Sequence, residues 1–132
     1  MSEIFFLEIV SPEKSFLKKD NVTEVVVPAF EGEMGILKDH ISIISFLKPG
    51  IITVFTGTEQ EKFYVEDGIV EFKDNNLSIL TSHIFDLKNV NKDEVNVSIT
   101  ETEKELSKDD LDDQKKFLLN HKIEILKSIN LN

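Results

Sequence analysis

Apolar and polar positions alternate through most of the first 88 residues. In residues 4–10, Phe5, Leu7 and Ile9 fall on one side, and Phe6, Glu8 and Val10 on the other. That period of two is the mark of a half-covered strand. Ser11-Pro12-Glu13 predicts a turn, Phe16-Leu17 a short apolar return, and Lys18-Lys19-Asp20-Asn21 a further turn. Residues 22–27 are rich in β-branched side chains and predict a strand. From Pro28 the chain passes Gly32 and Gly35 in a tight loop, with Glu31, Glu33 and Met34 at its tip. Glycine is the residue that meets positive φ at little cost, so both glycines are expected to shape this loop. Strands are predicted over 41–47 and 51–55, joined at Lys48-Pro49-Gly50, and over 62–66 and 69–73, joined as a hairpin at Asp67-Gly68. Asp74-Asn75-Asn76 turns the chain into a last strand over 77–81. Short strands punctuated by turns predict a sandwich or barrel, and the alternation favours an antiparallel two-sheet sandwich.

The pattern changes near residue 88. Asn91 followed by Glu94 is a helix start with Asn at the cap. Val95, Ile99, Thr102 and Leu106 then share one helical face. The same residues also alternate as a strand would, and local propensity leans that way. Helix is preferred because of the cap, the following Glu-Thr-Glu-Lys-Glu-Leu, and a family resemblance described below. Ser107-Lys108-Asp109-Asp110 predicts a break and a second cap, with Asp112 and Asp113 also in the next helix's first turns, where the helix dipole favours acids. Leu119, Ile123 and Leu126 make a stripe flanked by Leu118, Ile125 and Ile129, and Lys127 lies near the end. The expectation is an α+β chain: a β-sandwich over 1–88 and a helical hairpin over 89–132. Each helix has an apolar face that needs a surface to cover it.

The formal charge is −10, and all fifteen basic residues are Lys. This argues against nucleic acid, whose phosphates demand clustered cations, and against an anionic lipid surface. Cysteine is absent, which excludes disulfides and thiolate metal sites. No apolar run approaches the roughly 20 residues that span a bilayer, so direct membrane insertion is not expected. His40, His83 and His121 are 43 and 38 positions apart, without metal-ligand spacing. No phosphate loop and no Gly-x-Ser-x-Gly is present. No catalytic residue, cofactor site or metal site is therefore expected, and the chain reads as an interaction protein.

One ordered set of segments goes further. Residues 31–37 read EGEMGIL, Asp39-His40 and a strand follow, and residues 47–52 read LKPGII. Phe63-Tyr64-Val65, Asp67-Gly68-Ile69-Val70-Glu71 and Leu77-Ser78-Ile79-Leu80 continue the series. In order and spacing this resembles the epsilon subunit of the bacterial-type rotary ATP synthase, over roughly the first 85 residues. Beyond residue 90 the likeness is one of architecture.

The resemblance implies a non-catalytic central-stalk subunit of the proton-translocating ATP synthase. Its sandwich would link the gamma subunit to the membrane c-ring. Its position would be peripheral, on the cytoplasmic face of the inner membrane, through the complex. On that analogy Phe30, Glu31, Gly32, Glu33 and Met34 meet the ring, Gly32, Gly35, Pro49 and Gly50 shape the backbone, and His40 is structural. In the family the hairpin folds down on the sandwich or extends along gamma towards the catalytic alpha and beta subunits, where it restrains ATP hydrolysis. Residues 114–132 hold four Lys and one Glu, a net of +3, against a net of −6 over 91–113 and −7 over 1–90. Lys115, Lys116 and Lys122 thus make the second helix a basic rod suited to either surface. Some members bind ATP through an apolar-Asp-x-x-Arg-Ala motif. Here Val90-Asn91-Lys92-Asp93 stands in its place and no Arg exists, so nucleotide binding is not expected. The alternative reading is a β-sandwich protein-binding module with an unrelated helical tail.

Overall fold

The computed structural model describes residues 3–13 and 15–130. Met1, Ser2, Lys14, Leu131 and Asn132 lie outside the described residues, and with them the outermost ends of the two expected segments. Ten strands run in order: β1 (Phe5–Val10), β2 (Ser15–Val22), β3 (Glu24–Ala29), β4 (Gly32–Ile36), β5 (Ile43–Leu47), β6 (Gly50–Thr56), β7 (Glu59–Val65), β8 (Gly68–Lys73), β9 (Asn76–Leu80) and β10 (Ile84–Asp86). Two helices follow, α1 (Lys92–Leu106) and α2 (Asp113–Asn130).

The strands form one hydrogen-bonded path folded into two layers. One layer is β4-β3-β6-β7-β10 and the other β5-β8-β9-β1-β2, joined at the single pair Ala29–Leu47. Between them lies the main core, which includes Leu7, Ile9, Val25, Ile52, Phe63, Phe72 and Ile79. Phe5, Leu7 and Ile9 face it as their alternation requires. Every pairing is antiparallel except β1 with β9, which is parallel. Partners so far apart in sequence are free of the hairpin constraint that forces the antiparallel sense.

Several local expectations are corrected. Lys18, Lys19, Asp20 and Asn21 are not a turn but the middle of β2. β2 is an edge strand, and its charges face solvent or other strands: Lys18 lies opposite Glu8, and Lys19 Nζ reaches Glu61 Oε1 at 2.7 Å. Charged residues are a common edge-strand device. The strand expected over 22–27 is interrupted at Thr23, whose hydroxyl donates to the Phe55 carbonyl. β3 then runs through Pro28, which lacks an N–H but accepts from Lys48 N at 3.0 Å. The loop expected around Gly32 and Gly35 is a tight hairpin whose turn is Phe30-Glu31, with Gly32, Glu33, Met34 and Gly35 already in β4. Gly32 has φ of 136°, while Gly35 does not adopt positive φ. Gly35 is constrained by proximity: a Cβ there would lie 3.0 Å from Glu24 Oε2.

The ambiguous stretch after Asn91 is a helix. Asn91 Oδ1 accepts from the Asp93 N–H at 2.8 Å, and Val95, Ile99 and Thr102 are buried on one face. The second cap is Asp112, whose Oδ1 accepts from Lys115 N at 2.8 Å. Ser107 instead ends α1, its N–H bonded to the Glu103 and Lys104 carbonyls.

α1 and α2 pack on each other and on the outer face of the first layer. The cross-strand row Ile51–Tyr64–Phe85 of β6, β7 and β10 lies beneath Val95, Ile99, Leu126 and Ile129. This second cluster is separate from the main core, so a chain ending at Lys88 should keep a complete sandwich interior. It is expected to unfold cooperatively in urea with a reduced midpoint, since Ile51, Tyr64 and Phe85 become exposed. A broad, non-cooperative transition would mean that the sandwich depends on the hairpin.

Candidate docking surfaces

The two layers present two apolar outer rows, of which the described residues cover the first. On the second layer Phe46 of β5 pairs with Ile69 of β8, Ile69 with Leu80 of β9, and Leu80 with Val10 of β1. This row crosses four strands, and among the described residues nothing is packed over it. Phe46 is 62 % exposed. Ile44, Ile41 and Leu37 extend the apolar surface along and beyond β5, and Ile44 is 71 % exposed. Contiguous exposed apolar surface on a folded chain marks a contact site. The neighbouring row is polar, with Glu71 opposite Ser78 and Ser78 opposite Glu8, so the apolar strip has a polar rim.

Along one side of the row a groove opens, lined by Leu47, Gly68, Phe30, Phe46, Leu80 and Pro12. Its wall is braced by Thr81, whose hydroxyl donates to the Asp67 carbonyl at 2.6 Å, and by Ser82, whose hydroxyl donates to Asp67 Oδ1 at 2.8 Å. At the opposite end of these strands, where β8 turns into β9, Asp39 and Asn75 lock two turns together. Asp39 N donates to Asn75 Oδ1 at 2.7 Å and Asn75 Nδ2 to Asp39 Oδ1 at 3.0 Å. Asp39, Asp74 and Asn75 are the non-glycine residues at positive φ among those described. Asp and Asn are the side chains that tolerate this left-handed conformation, and the two hydrogen bonds tie the turns to each other.

The expected tip residues sit beside this face. Phe30 and Glu31 form the exposed β3–β4 turn, and Phe30 N donates to the Phe46 carbonyl at 3.1 Å. The tip and the bare row are therefore one continuous surface. Glu33 is exposed on β4, whereas Met34 packs partly against the main core and is not at the tip. Pro49 and Gly50 are buried where β5 passes into β6, and a Cβ on Gly50 would lie 2.6 Å from Pro28 Cβ. His40 Nδ1 lies 2.8 Å from the Ile41 carbonyl oxygen, and its ring meets the edge of Phe72. The bare row itself went unnoticed in the sequence. Its signal is that both phases of alternation in β5, β8 and β9 carry large apolar residues.

The three lysines of α2 separate. Lys115 and Lys116 are exposed near its start. Lys122 points to the sandwich, with Nζ 3.1 Å from Glu66 Oε1 and both side chains 19 % exposed. Tyr64 is fully buried beneath the helices, stacked on Phe85, and its hydroxyl has no hydrogen-bonding group in reach among the described residues. Burial raises its pKa well above the usual phenol value, and the nearby charges of Glu66 and Asp67 add to this. Among the described residues no cluster of three or more His, Cys, Asp or Glu could hold a metal ion, and no helix is long and apolar enough to cross a membrane.

Comparison with known proteins agrees with this architecture. Residues 4–86 match the model of the ATP synthase Delta/Epsilon chain beta-sandwich domain. The chain is 62 % identical over 130 residues to an ATP synthase epsilon chain of Pelagibacter ubique (strain HTCC1062), covering 98 % of this chain and 100 % of that one. It is 36 % identical over 107 residues to an ATP synthase epsilon chain of Rhizobium etli (strain CIAT 652), covering 80 % of this chain and 78 % of the relative. Among solved structures, a chain of the Euglena gracilis mitochondrial ATP synthase OSCP/F1/c-ring assembly superposes with a TM-score of 0.74 at 20 % identity, over 99 % of this chain and 82 % of that one. A chain of the Tetrahymena thermophila mitochondrial ATP synthase central stalk and c-ring does so with a TM-score of 0.71 at 19 % identity, over 95 % of both.

Proposed function

We propose, from the premise that this chain belongs to the epsilon-chain family of ATP synthase, that it is a non-catalytic central-stalk subunit joining the gamma subunit to the membrane c-ring. The observation that carries this reading is the bare apolar row Phe46–Ile69–Leu80–Val10, a built docking face left open beside a hairpin turn. The row takes the gamma subunit. The adjoining tip, Phe30 and Glu31 with Gly32 and Glu33 behind them, meets the polar loops of the ring. Met34 supports the tip from within. Membrane association is peripheral and runs through these contacts.

The test is capture. Purified gamma subunit and c-ring, presented separately, should each retain the full chain, gamma through the row and the ring through the tip. Binding to neither would return the chain to the alternative of an unrelated sandwich module.

The hairpin is the regulatory part of this reading. As folded here it covers the first layer, and in an extended form its basic second helix would approach acidic surfaces of the catalytic alpha and beta subunits. Deleting residues 110–132 is expected to raise ATP hydrolysis by the reconstituted complex severalfold, with subunit stoichiometry unchanged. Lys115→Glu with Lys116→Glu should act in the same direction more weakly, because exposed charge contacts are screened by salt. Hydrolysis unchanged by the deletion would leave the docking role intact and remove the regulatory one.

A further inference from the structure

The seam between hairpin and sandwich contains a favourable polar contact and an unfavourable group, two residues apart in sequence. Lys122 of α2 reaches across to Glu66, which follows β7 directly. The backbone carrying Glu66 is held firmly from behind, because Thr81 and Ser82 both bond the adjacent Asp67. Two residues before Glu66, Tyr64 places its ring under Val95, Ile99, Leu126 and Ile129. Its hydroxyl is buried there without a hydrogen-bond partner among the described residues. A buried hydroxyl without a hydrogen bond is costly, and the cost vanishes when water reaches it. A phenylalanine would fill the same apolar space without that cost.

We propose that Tyr64 and the Glu66–Lys122 pair form a release catch that sets how readily the docked hairpin lifts. The pair holds α2 down on a rigid anchor. The Tyr64 hydroxyl penalises the docked state alone and favours lifting. The catch rests on the reading of the hairpin as a regulatory element, but its own operation belongs to the isolated chain and needs no partner.

Amide hydrogen exchange on the full-length isolated protein tests it, with the α2 amides near Leu126 and Ile129 reporting hairpin opening and the β1 and β9 amides reporting the sandwich. Tyr64→Phe is expected to slow exchange in α2 about tenfold, the equivalent of relieving one unsatisfied buried group. Lys122→Met keeps the aliphatic stem and removes the charge, and should speed α2 exchange about fivefold or more. Both should leave β1 and β9 unchanged. Tyr64 is the sole tyrosine and there is no tryptophan, so acrylamide quenching of tyrosine emission gives a second readout in Lys122→Met, where quenching should increase. Faster or unchanged α2 exchange in Tyr64→Phe would show that the hydroxyl is satisfied and overturn the proposal, as would unchanged exchange in Lys122→Met. Either failure leaves the hydrolysis result of the 110–132 deletion untouched, so the catch and the regulatory reading stand or fall separately.

Discussion

Phe46→Asp is expected to weaken capture of the chain by purified gamma subunit at least about 30-fold, while its unfolding midpoint stays within experimental error of the parent. Phe46 is 62 % exposed, so little of the fold rests on it. It heads an apolar strip that continues into Ile69 and Leu80, and it also walls the groove beside Phe30. Aromatic anchors in such strips commonly carry about 2 kcal/mol or more of binding, which corresponds to that factor. A carboxylate there would also have to be desolvated against an apolar partner. Phe117→Asp is the matched control. Phe117 is equally exposed but lies on α2, stacked on His121 and away from the bare face. Its replacement should leave capture by gamma unchanged. Wild-type capture by Phe46→Asp, or loss confined to Phe117→Asp, would place the docking surface elsewhere.

Gly68→Ala is expected to destabilise the folded chain by about 3 kcal/mol, lowering the thermal midpoint by roughly 10 °C or more. Gly68 opens β8 at the foot of the groove, and a Cβ added there would meet the Leu80 carbonyl oxygen at 2.3 Å. The obstacle is backbone in a paired strand, so it has little freedom to retreat. Gly57→Ala separates collision from conformation. Gly57 has φ of 67° with open space where a Cβ would stand, so its cost should be only about 1 kcal/mol, the penalty of the left-handed region. Urea denaturation of the two variants beside the parent measures both. Equal losses would mean that the β8 start relaxes and that Gly68 matters for its dihedral angles alone.

The strands that carry alternation were legible in advance. Phe5, Leu7 and Ile9 bury, but Asp67-Gly68 is not the turn of a hairpin: it carries the chain from one layer to the other, and β7 and β8 pair with different strands. Asn91 caps α1 because its side chain and its position suffice for that bond. Legibility failed where a strand's charges are explained by distant residues. β2 reads as a turn because Lys18, Lys19, Asp20 and Asn21 are polar on both phases, and only Glu8 and Glu61 make that tolerable. β4 was hidden by its two glycines, which signal a loop locally but here admit a hairpin and a close approach to Glu24. For the candidate site, residues 30–34 were singled out as one tip, yet a strand sends its side chains to alternate faces. Met34 therefore turns inward while Glu33 remains exposed.

By itself the sequence determined the class of the molecule. Alternation and turn chemistry specify a β-sandwich, and the late change of period the second amphipathic helix, since these depend on neighbours along the chain; the first helix needed the Asn91 cap and the family resemblance to outweigh a strand-like alternation. An ordered set of matching segments identified the family. The tertiary structure alone decided which apolar surplus is covered. Ile51, Tyr64 and Phe85 lie on one layer's outer face and Phe46, Ile69 and Leu80 on the other's, and no local rule says which row the helices will choose. The choice follows from where β10 ends. Its edge position beside β7 delivers Leu87, Val90 and α1 directly onto the first layer, and the second is left open for a partner.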